Sequence, residues 1–145
     1  MEKTRKNLKI TSIILLIMAG SSMLNILGEI FFGEFNNVGS DVAPANIVLI
    51  TKIILVAFST LLLWPQIYVG VKGIKIAKEP TSSRMHIFWA TVLLILSVVG
   101  LISPVVELVQ AGSVYQNIGA ILSLLIEVCL YYEYISYSKA IAKAN

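Results

Sequence analysis

Four stretches of this chain, about Leu8 to Phe32, Ile47 to Val71, Met85 to Val109 and Tyr115 to Tyr137, are almost continuously apolar. Each exceeds the ~20 residues that a helix needs to cross a hydrocarbon core of ~30 Å. In hydrocarbon every backbone N–H and C=O must find a partner within the protein, so only helices and closed barrels span it. None of the four stretches shows the apolar-polar alternation of a barrel strand. The expected fold class is therefore an all-α membrane protein: one domain over residues 1–145, with four transmembrane helices in an up-down-up-down bundle.

The rest of the chain agrees with this reading. Apolar residues make up 57% and charged residues 13%, whereas a soluble domain is nearer a quarter charged. So few charges do not cover a water-soluble globule. Cys129 and His86 are single, which excludes an internal disulfide, a CxxC motif and a histidine-based metal site. No metal or cofactor is expected. The formal charge of +3 comes from short basic tracts beside apolar segments, a topology signal rather than a nucleic-acid footprint.

The first stretch begins like a secretory signal peptide, with small residues from Ala19 to Ser21. It runs on to Phe32, past the length of a signal h-region, so a retained span is expected. Of the 11 Lys and Arg, four (Lys3, Arg5, Lys6, Lys9) precede or open span 1. Four more (Lys72, Lys75, Lys78, Arg84) lie between spans 2 and 3, and Lys139 and Lys143 follow span 4. The positive-inside rule then puts both termini and the middle loop in the cytoplasm. The opposite loop, Gly33 to Asn46, carries Glu34 and Asp41 and has turn chemistry at Asn36-Asn37 and Gly39-Ser40. A Thr or Ser after Pro80 is expected to cap the third helix, and Pro65 and Pro104 to kink their spans or free carbonyls. A shift of 78 residues lays Leu15-Leu16-Ile17 over Leu93-Leu94-Ile95 and Glu29 over Glu107, a hint of two repeated hairpins.

Ionisable groups inside a bilayer cost roughly 2.5–3.5 kcal/mol on insertion scales, so each requires a partner, water or a role. Counted from the span centres, Glu29, Lys52 and Glu107 lie towards the outer face, Glu127 near the midplane and Glu133 in the inner third. Polar and small residues recur on single helical faces: Ser21, Asn25, Gly28 and Glu29; Ser97, Gly100, Pro104 and Glu107; and Gln116, Ala120, Ser123, Glu127, Tyr131, Tyr134 and Ser138. These faces are expected to turn inward, since lipid rejects polar groups. The candidate site is thus Glu29, Lys52, Glu107 and Glu127, with Asn25, Ser123, Tyr131 and Glu133 around it. Two readings stand. Either Lys52 between Glu29 and Glu107, above a titratable Glu127, forms a cation or proton site, or the same groups fix helix register, with protonated Glu127 hydrogen-bonded to Ser or Tyr. Lys72, Lys75 and Lys78 are expected to meet anionic lipid headgroups or water. His86 is expected to make an interfacial polar contact, and Cys129 to be a buried packing residue.

The segment Gly70-Val71-Lys72-Gly73-Ile74-Lys75-Ile76-Ala77-Lys78-Glu79-Pro80, set between two apolar spans, resembles small uncharacterised four-span membrane proteins of Gram-positive bacteria. The resemblance covers the middle of the chain and its layout. It implies a bacterial cytoplasmic membrane and no activity. No HExxH, GxSxG or P-loop is present, so no catalytic residue is assigned. The expected role is non-enzymatic: an accessory, envelope-stress or immunity-type protein that works in the cell membrane with a second copy or another membrane protein. The alternative is a small carrier or channel for a cation or small solute, proton-coupled through Glu127.

Overall fold

Because hydrocarbon offers no partner for the backbone, the apolar stretches close their hydrogen bonds locally and become helices. The computed structural model describes residues 1–32, 45–80, 83–111 and 114–144. These form α1 (Glu2–Phe32), α2 (Ala45–Lys78), α3 (Met85–Gly100), α4 (Ile102–Ala111) and α5 (Val114–Lys143). Among the described residues four helical stretches are long and apolar enough to cross a membrane: Glu2–Gly28, Leu49–Lys78, Met85–Gln110 and Ile118–Lys143. The loop expected from Gly33 to Pro44 lies outside the described residues.

The helices outrun the apolar stretches at their basic ends. Helix α1 begins at Glu2 rather than near Leu8, and α2 continues through Lys72, Lys75 and Lys78 rather than stopping near Val71. An acidic residue in the first turn of α1 and lysines in the last turn of α2 both match the helix dipole. The α2 ladder closes with the Glu79 amide donating to the Lys75 carbonyl at 2.8 Å, and Pro80, which has no N–H, cannot extend it.

Two prolines within spans behave differently. Helix α2 passes through Pro65 as one element. The third span divides at Leu101, one turn before Pro104, into α3 and α4. Pro104 has no N–H for the Gly100 carbonyl and its ring crowds that carbonyl. Leu101 N–H is shared between the carbonyls of Ser97 and Val98, both at 3.2 Å, and Val105 N–H returns to Leu101 at 3.2 Å. The capping expectation for α3 is corrected: Arg84 holds the N-cap position with no side-chain cap hydrogen bond. The Arg84 carbonyl itself takes the amides of Ile87 at 3.0 Å and Phe88 at 3.2 Å.

Helix α1 packs on α2 and α5, and α3 packs on α5 and α2. The core consists of Leu8, Leu15, Val69, Ile76, Ala90, Leu93, Tyr131, Tyr134 and Ile141. At its centre Ser12 of α1 and Tyr134 of α5 both close on Gly73 of α2, where any β-carbon would collide with them. Leu16 likewise closes on Gly70. Glycine at these two positions lets the α1 and α2 backbones approach closely, a common device in membrane bundles. The Tyr134 hydroxyl donates to the Val69 carbonyl at 3.0 Å, and the Asn7 amide meets the Tyr137 hydroxyl at 3.5 Å.

Among the described residues, all the buried ones fall in the half of the bundle that carries the basic residues: Leu8 to Ala19, Leu63 to Ile76, His86 to Ser97 and Tyr131 to Ile141. On α1 that is roughly 16 Å of helix at ~1.5 Å per residue, about half of a hydrocarbon core. Among the described residues of 20–28, 47–62, 98–110 and 118–130, none is buried. A β-carbon at Gly20, Gly28 or Gly119 would meet nothing within 4 Å. Among the described residues the basic half is closely packed and the other half is the more open.

Candidate functional site

The contrast between sealed and open halves decides where polar side chains lie. In the sealed half, Thr11, Ser12, His86, Ser97 and Ser138 are buried. Ser12 satisfies itself by donating to the Leu8 carbonyl at 2.7 Å. Across the open half, Thr51 and Thr60 turn their hydroxyls back onto the Ile47 and Val56 carbonyls at 2.9 and 2.7 Å. A hydroxyl bonded this way is satisfied even against lipid.

Glu127 sits on α5 where the two halves meet, half-buried. Its Oε2 accepts a hydrogen bond from Ser97 Oγ of α3 at 3.2 Å, and the same hydroxyl lies 3.0 Å from the Leu93 carbonyl. This contact joins the polar stripes of the third and fourth spans. Below it, Tyr131, Tyr134 and Ser138 continue the α5 stripe into the core. Above it the expectation is corrected, because Ala120 and Ser123 are exposed. On α1, Ser21 is exposed, while Asn25, though exposed, borders a cavity facing α2; on the third span Glu107 is exposed, while Gly100 faces Leu124 of α5.

The outer group is described in part. Lys52 is half-buried on α2, and Glu107 on α4 accepts a hydrogen bond from Ser103 one turn earlier at 3.2 Å. The side chain of Glu29 lies outside the described residues. Glu133 is exposed on the α5 surface. Two further expectations change. Cys129 is exposed on α5, since it lies two positions past Glu127 and so faces away from it on a helix. His86 is 2% exposed and packs edge-on against the Tyr134 ring, with centroids 6.0 Å apart. Among the described residues neither of its ring nitrogens has a hydrogen-bond partner.

The residues with most open chemistry were not singled out in advance as a set. Ser22, Asn25 and Ile26 of α1 and Ser59, Leu62, Leu63 and Gln66 of α2 line a cavity of about 320 Å³ between the two helices. Its polar groups come from both helices at helical spacing: Ser22 and Asn25 are three apart, Ser59 and Gln66 seven apart. That periodicity is the signal that would have revealed the notch. Asn25 and Gln66 make no hydrogen bond with any described residue. A second, aromatic cleft of about 430 Å³ is lined by Leu61, Leu62, Trp64, Pro65, Tyr68 and Trp89. Among the described residues no group of three or more His, Cys, Asp or Glu could hold a metal ion.

No family model, no curated protein and no solved structure matches this chain. The notch, the Ser97–Glu127 contact and the half-open bundle are therefore the basis for a functional reading.

Proposed function

We propose that this chain is a multi-pass membrane protein with a non-enzymatic, accessory role, acting by association with a transmembrane helix of a partner in the open half of its bundle. The observation that carries the reading is the notch between α1 and α2. It presents two amide side chains, Asn25 and Gln66, within membrane-spanning helices and without partners among the described residues. A polar group left unpaired in an apolar medium costs several kcal/mol, so a hydrogen-bonding side chain from a partner helix stabilises the notch and excludes lipid from it. Interhelical hydrogen bonds of this kind contribute about 0.6–1.7 kcal/mol each. Glu127, with its bond to Ser97, serves in this reading as a lock between the third and fourth spans rather than as a coupling site.

The arrangement in the bilayer is part of the proposal. Where α1 advances from Ser12 to Leu16, the facing position on α2 retreats from Gly73 to Gly70, which supports antiparallel neighbours and an up-down-up-down order. The basic residues at one end of the bundle support an orientation with both termini in the cytoplasm. The resemblance of Gly70–Pro80 to four-span proteins of Gram-positive bacteria supports a bacterial cytoplasmic membrane.

A photo-crosslinking residue at Ser59, activated in native membranes, tests the association. The expected result is one discrete adduct, whose mass distinguishes a second copy of the 15.9 kDa chain from another protein. The adduct is expected to disappear in Asn25→Leu/Gln66→Leu while the thermal midpoint is maintained. It is expected to persist in Glu127→Gln, which still accepts from Ser97. Adducts with lipid alone, or an adduct lost in Glu127→Gln, contradict the reading.

A further inference from the structure

At the basic end of the bundle, Arg84 and Ile87 of α3 face Lys139, Ala142 and Lys143 of α5 across a cavity of about 260 Å³. Arg84, Lys139 and Lys143 are exposed, while Ile87 and Ala142 are half-buried. The cavity thus has an apolar floor and a rim of three cations. Among the described residues no carboxylate lines it.

Ordinary helix electrostatics explains only part of this set. Lysine near the C-terminal end of α5 complements the helix dipole. Arg84 does the opposite: it is the N-cap residue of α3, where the helix already carries partial positive charge. It stands there in place of the Ser, Thr, Asp or Asn that would accept a hydrogen bond from the first turn. Lys139 and Lys143 also repel each other at a four-residue spacing. Three exposed basic side chains and a positive helix end thus border one cavity whose wall is almost wholly apolar, and an anion at its mouth would relieve their repulsion.

The floor identifies the kind of anion. Inorganic phosphate is surrounded by water and gains nothing from Ile87 and Ala142. A phospholipid places a phosphate directly above its glycerol and the first methylenes of its chains, an order that matches a cationic rim over an apolar floor. At ~30 Å³ per water in the liquid, the cavity has room for a phosphate and several waters. We propose that this pocket binds the phosphate and upper glycerol of an anionic phospholipid, at a position distinct from the Lys72, Lys75 and Lys78 row. The two basic groups differ in kind. The α2 lysines extend from one helix, whereas Arg84, Lys139 and Lys143 surround a cavity between two.

The test titrates the full-length protein in mild detergent with phosphatidylglycerol, phosphatidylcholine and inorganic phosphate, with bound lipid read by native mass spectrometry. The wild type is expected to hold one phosphatidylglycerol more tightly than phosphatidylcholine. In Arg84→Gln/Lys139→Gln/Lys143→Gln that affinity is expected to fall about a hundredfold, roughly fivefold per cation. Lys72→Gln/Lys75→Gln/Lys78→Gln is expected to bind within about fivefold of wild type on the same scale. Should the first triple variant not fold, Lys139→Gln/Lys143→Gln, exposed on α5, is expected to lose about 25-fold. Equal losses in both triples, no preference for phosphatidylglycerol, or its displacement by equimolar inorganic phosphate overturns the proposal. The inference rests on the membrane reading, and the two fail differently: a chain that stays soluble without detergent and binds neither lipid overturns that reading, whereas loss of headgroup preference alone overturns only the pocket.

Discussion

Gly73→Ala is expected to destabilise the bundle by about 1–3 kcal/mol, the range for overpacking a filled interior. The sign is set by which atoms stand in the way. A β-carbon at position 73 collides with Ser12 Oγ and lies 2.5 Å from Tyr134 Cε2. Neither neighbour yields easily, because Ser12 is short, fully buried and bonded to the Leu8 carbonyl, and Tyr134 is fully buried and bonded to Val69. Helix α1 must move away instead, and the seam between α1, α2 and α5 opens. Gly28→Ala and Gly119→Ala are the matched controls, since nothing lies within 4 Å of either added carbon. On helix propensity alone both should gain up to about 1 kcal/mol. Unfolding midpoints in detergent should therefore fall for position 73 and hold or rise for the other two.

The second large effect is expected at Tyr134. Among the described residues it is the largest fully buried side chain, and it touches three other spans: α1 and α2 around Ser12 and Gly73, and α3 through His86. Tyr134→Ala is expected to cost about 3–5 kcal/mol, the range for deleting a buried aromatic ring. Lipid cannot refill the space, because the surrounding Leu8, Val69, Ile76 and Ile141 seal it. Tyr134→Phe keeps the ring and loses only the bond to the Val69 carbonyl, so about 0.6–1.7 kcal/mol is expected. Similar costs for the two variants would mean that the hydroxyl, not the packing, holds the spans together. Denaturation of both variants beside the wild type makes that comparison.

The spans were legible because hydrocarbon demands long apolar runs, and the four membrane-length helical stretches lie where those runs are. Their ends were less legible, since hydropathy reports where lipid stops and not where the backbone stops being helical. Glu2 to Asn7 are polar or charged, and three lysines punctuate positions 72–78, yet both segments are helical. The prolines show a second limit. Pro65 and Pro104 each remove one hydrogen bond, but only the span of Pro104 divides, next to Gly100, whose missing side chain makes the helix easier to break.

The inward faces were legible in one half only. Tyr131, Tyr134 and Ser138 are buried as their spacing implied, whereas Ala120, Ser123, Ser21 and Asn25 are exposed on the same kind of stripe. A stripe identifies a face of a helix and says nothing of how far along its length a neighbour follows. His86 was hidden for a related reason. Its place one residue into α3 suggested an interface, but Tyr134, within the fourth span, packs edge-on against it and it is buried.

The account depends on four crossings with the basic end in the cytoplasm, and site-directed labelling tests that most directly. In a Cys129→Ala background, single cysteines at Asn37, Ser82 and Ala144 are exposed to a membrane-impermeant maleimide in intact cells and again after permeabilisation. The account predicts that position 37 reacts in intact cells and that positions 82 and 144 react only once the membrane is opened. Labelling of position 82 or 144 in intact cells, or protection of position 37, would contradict it.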